Sequence, residues 1–287
     1  MTTDTTLQAR HAHLRDIITA YGPALVAWSG GIDSSLVAYV THQVHGAHML
    51  AVTSGSASLK RADLDLTRAL ASDWGMPHRL VITDEVSLPA YRANPVNRCF
   101  YCKTSLYTLL RGIADADGYP AIHNGTNVDD LGDHRPGLVA AENHQIRSPL
   151  VEAGFTKADV RALAHLLGLA NADKPQAACL SSRFPYGTAI SETLLARVER
   201  AEAVLAEAGL TQFRVRHHDD VARLEVLPEE MPLLLARREA IDRAIRDAGY
   251  RFVALDLGGF RSGSLNTVLT EQRIPTLQVW EPQDMSQ

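Results

Sequence analysis

Two strings in this 287-residue chain combine reactive side-chain types at short spacing. The first is Ser29-Gly30-Gly31-Ile32-Asp33-Ser34-Ser35. Its paired glycines let backbone N–H groups reach phosphate oxygens with no Cβ in the way, and its three hydroxyls can donate to the same oxygens. It lacks the lysine of a Walker loop, so it does not fit γ-phosphoryl transfer. The second string is Cys99-Phe100-Tyr101-Cys102, flanked by Arg98 and Lys103, with the third cysteine at Cys179. Neighbouring cations favour the thiolate, the form that binds metal or attacks. Every cysteine lies in a polar, basic stretch rather than an apolar run, and the odd count argues against a disulfide framework. The spacing leaves four assignments open: inert thiols, a zinc site completed by a histidine, a redox dithiol, or three thiolates holding a 4Fe–4S cluster with one open iron.

Ala24–Trp28 is a short apolar run ahead of the Ser29–Ser35 loop, and Leu36–Val44 reads as a helix behind it. Met49–Thr53, Arg79–Thr83 and Pro120–Gly125 read as further strands, with helices over 11–21 and Leu59–Trp74. This alternation predicts an α/β fold, a doubly wound parallel sheet with helices on both faces. Ligands in such sheets bind beyond the carboxyl ends of the strands. The Ser29–Ser35 loop and Gly125-Thr126-Asn127-Val128-Asp129-Asp130 both fall there, and the helix after the first loop adds its positive N-terminus. Gly125 permits close backbone approach, while Asp129 and Asp130 read equally as Mg²⁺ ligands or a solvated acidic turn. Residues 131–147, with Gly132, Pro136 and Gly137, read as a loop.

The rest of the chain has another pattern. A helix from Ser191 to Gly209, strands at Phe213–His217 and Ala222–Leu227, a helical stretch over Pro228–Gly249 and a strand at Phe252–Leu257 suit a smaller α+β domain. The boundary is placed near Tyr186-Gly187, dividing the chain into 1–187 and 188–287. Arg214 and Arg216 share one strand face, and arginine forks suit carboxylates and phosphates. His217 and His218 point to opposite faces, so no shared metal is expected; His11, His13 and His165 read as surface residues. Lys+Arg 28 against Asp+Glu 33 gives a net charge of −5, without the basic footprint of a nucleic-acid binder. No apolar run is long enough for a membrane span, and no signal-peptide core is visible; the expected location is cytoplasmic.

The Ser29–Ser35 string resembles the loop of the PP-loop ATP pyrophosphatases, the adenine nucleotide alpha-hydrolase-like fold. Together with Asn94–Lys103, Ala178-Cys179-Leu180-Ser181-Ser182-Arg183-Phe184-Pro185-Tyr186-Gly187, Phe213-Arg214-Val215-Arg216-His217-His218 and Asp256-Leu257-Gly258-Gly259-Phe260-Arg261-Ser262-Gly263-Ser264, it resembles the LarE family of that superfamily. The resemblance covers most of the chain. It implies ATP-dependent, AMP-forming adenylation of a carboxylate of pyridinium-3,5-biscarboxylic acid mononucleotide. Conversion to a thiocarboxylate follows, in nickel-pincer cofactor assembly for lactate racemase. It assigns Ser29, Gly30, Gly31, Asp33, Ser34, Ser35, Thr53, Ser54, Gly125 and Thr126 to ATP. The substrate falls to Arg183, Arg214, Arg216, Arg261, Glu202 and Glu225.

Cys179 aligns with the sacrificial sulfur donor of one family branch. Cys99 and Cys102 depart from that branch and resemble the one in which all three cysteines hold a 4Fe–4S cluster and a sulfide on its open iron is delivered. The resemblance thus implies ATP, Mg²⁺ and the cluster as cofactors. Its expected partners are the mononucleotide, a sulfide source and copies of the chain in a homo-oligomer, a hexamer included, with no nucleic acid or membrane. A tRNA-thiolating PP-loop enzyme and a non-catalytic ATP-binding iron–sulfur sensor are the alternatives.

Overall fold

The computed structural model describes residues 2–131, 136–175 and 178–261, so Ser262, Gly263 and Ser264 lie outside it. The first half runs α1 (Thr2–Tyr21), β1 (Ala24–Ala27), α2 (Ile32–His45), β2 (Leu50–Ser54), α3 (Arg61–Trp74), β3 (His78–Val81), α4 (Pro89–Arg92), α5 (Arg98–Asp117) and β4 (Ala121–His123). Helices α6 (Pro136–Asn143), α7 (Pro149–Glu152), α8 (Lys157–Leu166) and α9 (Glu192–Glu207) follow. The chain then forms β5 (Phe213–His218), β6 (Val221–Val226), α10 (Met231–Ala236), α11 (Arg238–Asp247) and β7 (Phe252–Leu255).

Strands β1–β4 make one parallel sheet in the order β3-β2-β1-β4, with Leu25 beside both Leu50 and Ile122. The side-chain alternation of a strand divides its core into two layers. Leu25 joins Leu50, Val52, Ile122 and, from α5 and α6, Tyr107, Leu110 and Ala140. Val26 faces the other way, toward Leu14 and Ile18 of α1, Leu36 and Val40 of α2, and Val160 and Leu163 of α8. Strands this short form a stable sheet only because both faces are covered. The second sheet, β5-β6-β7, pairs β5 antiparallel and β7 parallel to β6. Its core combines Val215, Leu224 and Val226 with Leu195 and Val198 of α9 and Ile241 and Ile245 of α11. Tyr91, Leu180 and Phe184 join it from the segments around the cysteines.

Three expectations need correction. Residues 131–147 are not a continuous loop: α6 occupies Pro136–Asn143, because Pro136 suits a first helical turn and Ala140 and Ala141 find a core to bury against. Pro228–Gly249 is not one helix but a 3₁₀ turn, α10 and α11, interrupted at Pro228 and Pro232, which remove backbone donors, and at Arg237. Helix α5, unmarked by any expectation, begins at the Cys99–Cys102 string itself. His11 is half-buried rather than on the surface, with a buried Nε2 that has no partner.

Candidate active site

The loop after β1 is held from behind. Gly30 has φ +72°, and a Cβ there would meet Thr67 Cγ2 at 2.9 Å. Its carbonyl accepts from Asn171 Nδ2 at 3.2 Å and Lys174 Nζ at 3.1 Å. Ser35 is fully buried and accepts from Trp28 Nε1 and Asn171 Nδ2, both at 2.9 Å. It therefore anchors the loop, whereas Ser29 is exposed, its hydroxyl 3.2 Å from that of Ser34. Helix α2 starts at Ile32, so Asp33 and Ser34 already lie in its first turn. Their donors are those a helix N-terminus offers to an anion.

Gly125 touches this turn directly. A Cβ there would lie 2.5 Å from the Ser34 nitrogen and 2.7 Å from its Cα. Asp33 accepts from Asn127 Nδ2 at 3.0 Å and is paired with Lys157 Nζ at the start of α8. Asp129 and Asp130 instead accept backbone N–H groups, from Lys157 at 2.8 Å and Asn127 at 3.1 Å. Asp33, with phosphate oxygens and water, fits the sparse protein coordination that Mg²⁺ favours. Thr53 is buried and bonded to His78 Nε2 at 2.9 Å, and Ser54 to Thr83. Thr126 lines a cavity of about 590 Å³ with Arg147 and Ser148.

The cysteines meet across two segments. Buried Arg98 donates to Asn94 and to the Ser181 carbonyl at 2.9 Å, binding the start of α5 to the turn after Cys179. Tyr91 Oη and Ser181 Oγ lie 2.6 Å apart. Cys99 reaches the surface, but the protein packed around it and then the Cys179 thiol raise its pKa. Burial and then Glu85 push Cys102 up to about 12, with Cys179 and Cys99 adding to the rise. Cys102 is thus no polar-surface thiol; it packs against the core of the second sheet. Burial works against the charge on Arg98, but the thiols of Cys179 and Cys99 outweigh it and raise its pKa. Lys103 also rises, through Tyr107 first, against burial, with all three thiols contributing.

Among the described residues no three His, Cys, Asp or Glu side chains are placed to hold a single metal ion. Cys99 and Cys102 on α5, and Cys179 on the turn that Arg98 ties to it, with Arg98 and Lys103 adjacent in sequence, are donors of the type an iron–sulfur cluster takes, its thiolates needing compensating charge.

The third group is basic. Arg183, fully buried, donates through Nε and Nη2 to Glu202 at 2.8 and 3.0 Å, and through Nη1 to the Ala178 and Cys179 carbonyls at 2.7 and 3.0 Å. Lys60 also reaches Glu202, at 2.6 Å. Burial alone would raise Glu202, but Arg183 and Lys60 hold it down at about 2. Arg216 bonds Glu225 through Nε at 3.0 Å and the Ser182 carbonyl through Nη1 at 2.7 Å. Arg214 lies over the Phe260 ring, 5.0 Å from its centroid. Burial and then Arg183 push Arg214 down to about 10, as expected where cations crowd a place suited to an anion.

The structure thus brings Arg183, Arg214, Arg216, Glu202 and Glu225 together. Arg261 is exposed, its Nη2 2.7 Å from where a Cβ on Gly258 would stand. His217 is buried and His218 exposed, on opposite faces of β5. Sequence reasoning missed Lys157, Lys60 and Glu85. The Thr156–Asp159 capping box, legible as Thr-x-x-Asp, could have placed Lys157 at a helix start.

The parallel sheet, the Gly30-Gly31 loop at its carboxyl edge and the Gly125 approach define a PP-loop α/β nucleotide-binding protein. The Asparagine synthase family model matches residues 14–99, the stretch from α1 through that loop to the first cysteine. The chain belongs to the LarE family. It is 37% identical over 272 residues to the pyridinium-3,5-bisthiocarboxylic acid mononucleotide synthase of Lactiplantibacillus plantarum, covering 94% of this chain and 99% of that one. An uncharacterized Synechocystis protein, slr1717, is 42% identical over 92% of this chain and all of its own length. An uncharacterized protein of Methanocaldococcus jannaschii, MJ0830, is 26% identical over 83% of this chain and 90% of its own.

Proposed function

We propose that the chain is an ATP-dependent sulfur transferase that adenylates a carboxylate of pyridinium-3,5-biscarboxylic acid mononucleotide and converts it to a thiocarboxylate. The observation that carries this reading is the convergence on one turn, that of Cys179, of the loop after β2, the start of α5 and the basic pocket. The loop after β2 reaches it through the Ser58 carbonyl, which accepts Leu180 N–H at 2.8 Å. The α5 cysteines reach it through Arg98, and the basic pocket through Arg183.

In this reading Ser29, Gly30, Gly31, Ser34, Gly125 and Thr126 receive the phosphates of ATP, with Asp33 and Mg²⁺ compensating their charge. Thr53 and Ser54 border the adenosine. Arg214 and Arg216, with Arg261 from the chain's last described residues, hold the anionic mononucleotide. Arg183 and Glu202 shape the pocket by fixing the Cys179 turn. The substrate carboxylate attacks the α-phosphorus and pyrophosphate leaves. A sulfur nucleophile then attacks the acyl carbon and AMP departs with the former carboxylate oxygen. An acyl-adenylate is needed because a carboxylate oxygen is itself a poor leaving group. Cys99, Cys102 and Cys179 would hold the 4Fe–4S cluster, which when bound supplies the sulfur at its open iron. Residues 1–187 form the ATP-binding part and 188–287 contribute substrate contacts and contacts between chains, of which 262–287 lie outside the described residues.

Among the described residues no helix is long and apolar enough to cross a membrane. Iron and acid-labile sulfide measured after anaerobic purification test the cluster, repeated for C99A, C102A and C179A. The expected result is a 4Fe–4S ratio that each substitution abolishes. No iron after reconstitution would overturn the cluster and leave Cys179 as a sacrificial donor.

A further inference from the structure

A buried carboxylate stands between the nucleotide side and the sulfur side of this site. Glu85 is 1% exposed. It accepts from Ser58 Oγ at 2.8 Å and from Ser56 Oγ, and the two hydroxyls are 2.7 Å from each other. Among the described residues no Lys, Arg or His pairs with it. A buried acid answered only by hydroxyls is disfavoured for stability, so its presence beside the loop that holds the Cys179 turn asks for a role in the chemistry.

Its partners supply that role. Ser56 and Ser58 directly follow β2, whose last residues Thr53 and Ser54 face the proposed nucleotide. The Ser58 carbonyl holds Leu180, the residue after Cys179, and Tyr91 bonds Ser181 in the same turn. Val86, the residue after Glu85, lies in the second-sheet core against which Cys102 packs. One carboxylate therefore fixes the loop that spans from the nucleotide to the sulfur donors.

We propose that Glu85 is a positioning residue: it locks the Ser56–Ser58 loop so that Cys179 is held in line with the acyl group bound at the nucleotide. This rests on the sulfur-transfer reading above. Both hydroxyls donate to the same oxygen, Oε1, so a side chain with no acceptor, such as Met, releases the loop, whereas an amide keeps that oxygen. Adenylation does not depend on that lock: the phosphates lie on the loops after β1 and β4, and Thr53 and Ser54 are held by His78 and Thr83 rather than by Glu85. Transfer of sulfur does depend on it.

The test separates the two half-reactions in Glu85→Met, with Glu85→Gln as the conservative variant. Pyrophosphate release should stay within about twofold of the unaltered protein, while thiocarboxylate formation falls on the order of 10²-fold, the loss expected from a misplacement of about 1 Å. Glu85→Gln should recover most of it. Iodoacetamide labelling of the metal-free protein, mapped by mass spectrometry, should modify Cys179 several-fold faster in Glu85→Met and Cys99 at an unchanged rate. Equal Cys179 labelling, or parallel loss of both half-reactions, would overturn the role of Glu85. Thiocarboxylate absent from the unaltered protein would overturn the functional reading, while the labelling would still decide whether Glu85 holds the turn.

Discussion

Arg183 grips both oxygens of Glu202, at 2.8 and 3.0 Å, while its remaining donors hold the carbonyls of Ala178 and Cys179. One buried ion pair therefore fastens the turn carrying the third cysteine to α9. Arg183→Met would leave Glu202 buried without its two-pronged partner, Lys60 remaining paired to it, and should cost about 3–5 kcal/mol. Arg183→Lys should not restore the loss, since an ammonium cannot reproduce the fork. Urea unfolding of both variants checks this. A midpoint unchanged in Arg183→Met would contradict it.

The same pair sets a pH dependence. Glu202 is held at about 2 in the folded chain, below its ordinary 4.5. Its contribution, about 3 kcal/mol, is fully present above pH 4.5 and is lost as pH falls through about 2. His123 acts in a different window. Burial, then His45 and Arg147, lower it from 6.5 to about 3, and neither ring nitrogen has a partner. The unfolded chain therefore binds a proton that the folded chain refuses, so stability is greatest above pH 6.5. It should decline below that by up to about 1.4 kcal/mol per pH unit. Unfolding free energies between pH 7 and 5 should slope less in His123→Phe than in the unaltered protein; identical slopes would remove His123 as the cause.

Gly125→Ala tests the closeness of the two nucleotide loops. Its new methyl would lie 2.5 Å from backbone nitrogen of the α2 turn, which cannot yield as a flexible side chain would. ATP binding measured by calorimetry should weaken at least about tenfold, equivalent to about 1.4 kcal/mol. Gly112→Ala is the control: nothing lies within 4 Å of its added Cβ, inside α5. It should stabilise the protein by up to about 1 kcal/mol and leave ATP binding intact.

Lys157 supplies a cation that the Ser29–Ser35 string itself lacks. Paired with Asp33, it stands where phosphate charge would develop. Lys157→Met should lower AMP formation on the order of 10²-fold, with an unchanged circular dichroism spectrum. Full turnover in that variant would make the ion pair merely structural.

The legible parts of the chain were those governed by local rules. Ala24–Ala27 and Leu50–Ser54 announce buried strands because apolar runs that short, bounded by glycine or polar turns, have few other solutions. Ser191 announces α9 because its hydroxyl caps Leu194 N–H at 3.3 Å. Alternation placed Arg214 and Arg216 on one face. What stayed hidden depends on tertiary contact. Lys157 lies 124 residues from Asp33, and Glu85 lies 27 from Ser58, so neither pairing leaves a periodic trace. Helix α5 escaped notice because Arg98–Lys103 reads as a polar reactive string. Its helical state follows from Tyr107, Leu110 and Ala114 finding the sheet beyond it.

The most direct measurement supplies the anaerobically prepared protein with ATP, Mg²⁺, sulfide and pyridinium-3,5-biscarboxylic acid mononucleotide, and counts nucleotide and pyridinium products together. AMP and pyrophosphate should form in step with a thiocarboxylate, and neither should form with Asp33→Ala. ADP and phosphate in place of AMP, or AMP released with no sulfur in the pyridinium product, would contradict adenylation-driven sulfur transfer.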